Sequence, residues 1–285
     1  MTPWNQVTIV GVGLIGGSLG LAIKRSGLAE TVVGVGHRQA SLDEAVDRGA
    51  VDRVTLDPAD GVRGSDLVVL ATPIGHFLET IVAAAPSLAP GAIVIDVGSA
   101  KASVVTAIEA VLPEGRTFIG CHPIAGSEHR GVAHARPDLF VGAICVVTPT
   151  DRTPPDALGR IVAMWARVGM TVRLLSPTQH DRALAEISHL PHVVAAALVR
   201  AIGPEAESLA GPGWSDTTRV ASGDAAMWRD ILISNAAEVA AAIEKFQGTL
   251  GVFRAALRQG DAARIEALLA ESKARRDMRV GHKPA

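Results

Sequence analysis

The sequence contains no tyrosine, and aromatic side chains make up only 3% of its 285 residues. So few rings leave little on which bases could stack, which argues against recognition of single-stranded nucleic acid. No apolar run approaches the ~20 residues of a membrane span. The N-terminus, Met-Thr-Pro-Trp-Asn-Gln, lacks the basic and apolar regions of a secretory signal. An excess of charge is also missing: 27 Lys and Arg against 29 Asp and Glu give a net charge of −2. That balance supplies no long-range field for a nucleic acid partner. The two cysteines, Cys121 and Cys145, are too few for a disulfide framework, and a reducing cytoplasm is the expected compartment.

What is present is a globular composition, 48% hydrophobic and 20% charged, which excludes intrinsic disorder. At ~150 residues per domain the length suggests two domains. Short apolar runs between Gly, Pro and Asp predict strands at residues 7–10, 31–35, 67–71, 92–96, 117–121, 143–148 and 171–175. Helical patterns at 14–26 and 41–48 lie between the first of them, as in the βαβ units of a doubly wound sheet. Beyond Pro177 no strand pattern occurs. Leu184, Ile187, Val194, Leu198 and Ala201 fall near one helical face, with Pro191 as a kink. Residues 225–257 read as one helix or two, interrupted near Gly248 and Gly251. A last helix covers 261–276, with Asp261 as its N-cap, and the basic tail beyond Lys273 is expected to fray. The boundary is therefore expected near Ser176–Pro177, giving an α/β domain over 1–176 and an all-α domain over 177–285. The Ala- and Val-rich helices of the second domain are too apolar to stand alone, so a homodimer is expected to cover them.

The strongest motif is Gly11-Val12-Gly13-Leu14-Ile15-Gly16, directly after the first strand and opening a helix. Gly11 permits a tight turn, Gly13 lets backbone approach a pyrophosphate, and Gly16 allows close helix–strand packing. The helix N-terminus at Leu14 and Ile15 offers free N–H groups to phosphates. This predicts a Rossmann-type dinucleotide site. At the end of the second strand stands Gly36-His37-Arg38, where an acidic residue would select NAD. A guanidinium there suits a 2′-phosphate, so NADP is favoured over NAD, with His37 and Arg38 as its contacts. Thr72 and Pro73, closing the third strand, complete the expected cofactor set.

Ligands in such folds bind outside the carboxyl ends of the strands. The fourth strand ends in Asp96-Val-Gly-Ser99-Ala-Lys101 and the fifth in Cys121-His122-Pro-Ile-Ala-Gly-Ser127-Glu128. His122 is the residue suited to proton transfer near neutral pH. His189 and His192 stand three apart on a predicted helix. A zinc site would need a third ligand such as His180 or Asp181, and no metal is expected.

Taken in order, these segments resemble the prephenate/arogenate dehydrogenase family. The matching pieces are residues 11–18, 96–101 and 122–128, then Leu139-Phe140, Thr178-Gln-His-Asp181, Ser188-His-Leu-Pro-His192, Asp216-Thr-Thr-Arg219 and Met227-Trp-Arg-Asp230. The resemblance implies oxidative decarboxylation of prephenate to 4-hydroxyphenylpyruvate, or of arogenate to tyrosine. It implies His122 as the proton acceptor, Ser99 as a hydrogen-bond partner near it, and Arg219 as the group holding a substrate carboxylate. Ser127, Glu128, His189 and His192 are implied as further substrate contacts. Lys101 and Asp230 are expected to support the site, and Trp214 and Trp228 to sit in the core or a domain interface. Neither a fused mutase domain nor a C-terminal regulatory domain is expected. Two competing readings are another NADP-dependent dehydrogenase, of the β-hydroxyacid or imine reductase type, and a non-catalytic NADP-binding regulator. The first leaves the His122 and Arg219 segments unexplained, and the clustering of His122, Ser99 and Lys101 at strand ends argues against the second, because a sensor needs no proton acceptor.

Overall fold

The structure, a computed structural model, describes residues 2–127 and 129–280. Among the described residues eight strands are formed: β1 (Trp4–Val10), β2 (Ala29–Val35), β3 (Arg53–Thr55), β4 (Leu67–Leu70), β5 (Ile93–Asp96), β6 (Thr117–Pro123), β7 (Ile144–Thr148) and β8 (Thr171–Leu174). They make one sheet in the order β3-β2-β1-β4-β5-β6-β7-β8. Every pairing is parallel except β6–β7. The reversal has a simple cause. Parallel neighbours need a crossover of about a dozen residues, usually a helix. Between β6 and β7 the described chain forms only the short turn Val132–His134, whereas helix Pro155–Arg167 carries β7 across to a parallel β8. A sheet built only of βαβ units, as the sequence suggests, is thus corrected at this one pairing, and β3 is a short addition.

Strands β4 and β5 are buried at every position, which is why they read as unbroken Val, Leu and Ile runs. Successive side chains point to opposite faces. Ile9 and Ile95 join one core with Leu19 and Trp165. Val10 and Val94 join the other with Phe77 and Phe118. Burying each such side chain contributes about 1.5–3 kcal/mol. The strand order reverses at β1, flanked by β2 and β4, so a crevice opens outside the carboxyl ends of β1 and β4.

After β8 the described chain is helical: Pro177–Leu184, Leu190–Ala201, Pro212–Thr218, Ala225–Ser234, Ala236–Gln259 and Ala262–Val280 are the longer helices. Residues Met1–Ala236 form one compact unit and Ala237–Ala285 another. A single π turn, Ala185–His189, precedes Pro191. Proline cannot donate to the preceding turn and its ring crowds the carbonyl four residues back, so the helix widens ahead of it. This shifts the register, and Ile187 is 55% exposed instead of sharing the face of buried Leu184. The break expected at Gly248 and Gly251 falls at Asn235 instead, and helix Ala236–Gln259 runs through both glycines. Asp261 caps the last helix by accepting from the Arg264 amide at 2.9 Å. That helix continues to Val280, so the fraying expected from Lys273 is absent that far. Among the described residues no helix is long and apolar enough to cross a membrane.

Candidate active site

The glycine-rich turn has the geometry its spacing predicts. Gly11 adopts φ +99°, and a Cβ there would lie 2.6 Å from the backbone of Ala71 and Thr72. A Cβ on Gly16 would meet the Gly11 carbonyl oxygen at 2.1 Å, so helix Leu14–Arg25 packs on the turn only because that side chain is absent. Beside Gly13, by contrast, nothing approaches within 4 Å. No side chain caps the helix, and the Leu14 and Ile15 amides find no acceptor among the described residues. Across the turn, the hydroxyl of Thr72 is buried without a partner among the described residues. Open amides, an open approach and an orphaned hydroxyl fit a dinucleotide phosphate. His37 and Arg38 are exposed, and Arg38 forms no ion pair among the described residues. Pro73 is exposed at the end of the same crevice.

At the end of β5, Asp96 and Lys101 are both fully buried and form an ion pair. Asp96 also accepts from the Gly98 amide at 2.8 Å and the Cys121 amide at 3.0 Å, so it ties the ends of β5 and β6 together. Lys101 donates to the Ala100 carbonyl at 3.0 Å as well. Ser99 lies between them, half-buried.

His122, buried at the end of β6, is held by His180, from the Thr178–Asp181 segment, for which the sequence predicts no role in proton transfer. Its Nδ1 lies 2.8 Å from Nε2 of His180, and His180 Nδ1 lies 2.7 Å from Asp181 Oδ1. Asp181 also accepts from the Lys101 amide at 2.7 Å and the Ala102 amide at 2.8 Å, anchoring helix Ala102–Val111. Burial acts to raise the Asp181 carboxyl, but the His180 hydrogen bond and the two amides outweigh it and hold it below its ordinary value. Asp181 is therefore a carboxylate and His180 Nδ1 the donor. Burial, aided by Lys101, lowers His180 despite the Asp181 bond. Burial also pushes His122 well below the usual histidine value, aided by the positive charge of Lys101. Both rings are neutral at pH 7, so the assignment is forced. His180 Nε2 accepts, His122 Nδ1 donates to it, and His122 Nε2 keeps a free lone pair. The partner of His122 is thus His180, and Ser99 makes no hydrogen bond among the described residues.

Beyond this chain lie His189 and His192. Residues along an α-helix advance about 100° each, so the nine positions from His180 to His189 would set the rings on opposite sides. The π turn absorbs one residue and reduces that angle to about 80°. His189 is fully buried; its Nδ1 lies 3.1 Å from Asn235 Nδ2, and its Nε2 has no partner among the described residues. Burial lowers its pKa to about 4 although Asp181 opposes the shift. His192 is stacked on Trp228, with centroids 3.6 Å apart and planes 11° apart, and its Nδ1 is likewise buried and unpartnered. Trp228 is therefore a wall of the histidine cluster and not the core or interface residue expected. Gly223 packs against the edge of both rings: a Cβ there would lie 2.4 Å from Trp228 Nε1 and 3.0 Å from His192 Cε1. Arg219 is exposed, just after helix Pro212–Thr218, and pairs with no carboxylate among the described residues. Ser127 Oγ accepts from the His129 amide at 3.2 Å, so it shapes its own loop. Glu128 lies outside the described residues. No group of three or more His, Cys, Asp or Glu suited to a metal occurs among the described residues.

A glycine turn open to a pyrophosphate after β1, and a neutral histidine locked in one tautomer at the end of β6 in the same sheet, define a Rossmann-type dehydrogenase site. Two family models match the chain: prephenate dehydrogenase, nucleotide-binding domain, over residues 19–174, and prephenate dehydrogenase, dimerization domain, over 176–271. The chain is 32% identical over 280 residues to a prephenate dehydrogenase of Bacillus subtilis, covering 96% of this chain and 76% of that one. The fold matches a crystal structure of prephenate dehydrogenase from A. aeolicus in complex with hydroxyphenyl propionate and NAD+. The TM-score is 0.88 and the identity 34%, over 96% of this chain and 98% of that one. It matches arogenate dehydrogenase from Synechocystis with TM-score 0.85 and 31% identity, over 96% and 99%. The chain belongs to the prephenate dehydrogenase family and is an oxidoreductase.

Proposed function

We propose that this chain catalyses the NAD(P)-dependent oxidative decarboxylation of prephenate or arogenate, with His122 accepting the proton of the ring hydroxyl. The observation that carries the proton step is the Asp181–His180–His122 chain, which leaves the Nε2 lone pair of His122 free. A bound nicotinamide supplies the acceptor for the hydride that leaves the ring carbon bearing the hydroxyl. His122 Nε2 takes the hydroxyl proton as that carbon becomes a carbonyl. CO2 then departs, its bond electrons pass through the ring to the oxygen, and His122 returns the proton to the new phenol. While protonated, His122 is stabilised through His180 by the Asp181 carboxylate, a benefit that exists only after proton transfer begins. Burial lowers His122 well below its ordinary value, so the ring is neutral and able to accept at pH 7 and weak enough to release the proton afterwards.

The open amides at Leu14 and Ile15 and the space at Gly13 hold the pyrophosphate, with Thr72 beside them. Arg38 and His37 take a 2′-phosphate, which makes NADP the preferred nucleotide. The Arg219 guanidinium, free of intramolecular ion pairs among the described residues, matches a substrate carboxylate in a bidentate way. Ser99 serves the same reaction as a hydroxyl ligand, and Ser127, His189 and His192 contact the substrate. The helices Ala236–Gln259 and Ala262–Val280 expose Leu250, Leu257 and Leu269. A second copy of the chain covers them, as in a homodimer. The test is nicotinamide reduction by the purified chain, with prephenate or arogenate against NAD or NADP. Turnover fastest with NADP is expected; silence in all four combinations would overturn the reading.

A further inference from the structure

We propose that Asn235 is a positioning residue, holding His189 with its proton on Nε2 so that this N–H donates to an anionic oxygen of the substrate. The inference rests on the substrate class proposed above. Asn235 is buried at the end of helix Ala225–Ser234. Its Nδ2 donates to the backbone carbonyl of Asp181 at 2.8 Å and lies 3.1 Å from His189 Nδ1. An asparagine amide can be placed with oxygen and nitrogen exchanged. Here the exchange would set Oδ1 against the Asp181 carbonyl oxygen, two acceptors with no proton between them. That carbonyl admits only a donor, so the –NH2 group stands where it does. Its second N–H then points at His189 Nδ1, which must accept. The His189 proton lies on Nε2, which is buried and has no partner among the described residues. A buried N–H without an acceptor is costly, so the site is completed by one. The neighbouring His192 Nδ1 is unpartnered too, across the same Trp228 ring, which His189 meets edge-on at 6.2 Å. Two orphaned imidazole nitrogens around one indole ring are a recognition site for an acceptor, and the substrate carboxylates are the acceptors this family's chemistry brings.

The groups facing His189 are Asp181 and His180 from helix Pro177–Leu184, His192 one turn further on, His122 on β6, and Asn235. Only the last fixes its tautomer. Asn235→Asp keeps the size of the side chain but replaces a donor with an acceptor, and so also gives up the bond to the Asp181 carbonyl. The new carboxylate draws the proton to Nδ1, leaving Nε2 as a lone pair facing the substrate. At about pH 8 the prephenate KM should rise about 10-fold or more, the worth of a hydrogen bond to a charged group, while kcat and the nucleotide KM change less than about 3-fold. As the pH falls toward about 5.5, His189 in the variant gains a second proton and the KM should recover, whereas in the wild-type protein it stays flat there. A purely structural role would give no such recovery. An unchanged KM, or a raised KM that does not fall with pH, overturns the proposal. If Asn235→Asp does not fold, two variants of His189 decide it. His189→Gln places an amide N–H near the Nε2 position and should hold the prephenate KM within about 5-fold, while His189→Asn reaches only the Nδ1 position and should raise it more. The reverse order overturns the proposal. Wild-type turnover with neither prephenate nor arogenate would instead remove the functional reading beneath it.

Discussion

Changing Asp181 to asparagine removes one charge and almost no volume, and its effect can be followed atom by atom to His122. Asp181 now accepts three hydrogen bonds, from His180 Nδ1 and from the amides of Lys101 and Ala102, all at 2.7–2.8 Å. An asparagine has one oxygen for these donors and an –NH2 group that cannot accept. Lys101 and His180 both donate to Oδ1, and Ala102 donates to Oδ2. With its oxygen at the Oδ1 position an asparagine keeps two of the three bonds, and its –NH2 faces the Ala102 amide. His180 keeps its proton on Nδ1, but the carboxylate that stabilises protonated His122 through His180 is gone. A hydrogen bond to a charged group is worth about 1.5–3 kcal/mol. We therefore expect kcat to fall by about 10–10²-fold, or about 1.4–2.7 kcal/mol of transition-state stabilisation. Stability should fall by about 1–3 kcal/mol, since the Ala102 amide loses its acceptor. The assay is saturated turnover by reduced-nicotinamide absorbance, beside thermal unfolding and nucleotide affinity for the same sample. A folded, nucleotide-binding variant with kcat within about 3-fold of wild type would refute the claim that the Asp181 charge supports the proton step.

Other outcomes follow from the same geometry. His122→Asn should keep nucleotide affinity and lose at least about 10²-fold in kcat; near-normal turnover would remove His122 from the proton step. Arg38→Ala should raise the NADP KM by about 10-fold or more and leave the NAD KM nearly unchanged, as expected for a lost charge-assisted pair. Equal effects on both nucleotides would exclude the 2′-phosphate contact. Burial lowers His122, His180 and His189 below their ordinary 6.5 in the folded protein. Below that pH the unfolded chain binds more protons than the native one, so stability should fall as pH drops from 6.5, each ring adding up to about 1.4 kcal/mol per pH unit. Above it these rings contribute no slope. Urea unfolding midpoints between about pH 4.5 and 8 would show this; a flat profile would contradict the buried neutral histidines.

Much of this was legible in the sequence because its causes are local. The Gly11–Gly16 turn requires missing side chains at set spacings, and β4 and β5 are apolar throughout because both faces are covered. The antiparallel β6–β7 pairing was hidden because direction is decided by what lies between strands, and that loop carries no periodic pattern. Strand β3 is three residues long, too short for any alternation to show. The roles of His180 and Asp181 are not legible because a sequence gives composition at a site but not hydrogen-bond direction. One local signal did exist: a histidine beside a carboxylate in the first turns of a helix with a Ser176–Gln179 capping box. Asn235 carried no such signal. It stands at a break between helices that the two glycines downstream, Gly248 and Gly251, seemed to mark.

The wide turn at Ala185–His189 also bears on how the gene can change. Inside an α-helix a one-residue insertion or deletion swings everything downstream by about 100°, and in a helix carrying catalytic groups it is lethal to the site. Here the surplus residue is already in place. Removing one residue from 186–188 would let the run close into an ordinary helix while His192 kept its bearing toward Asp181. A deletion three residues to either side would meet no such slack. Length variation in this helical run has one permitted address, and it lies between the two histidine pairs.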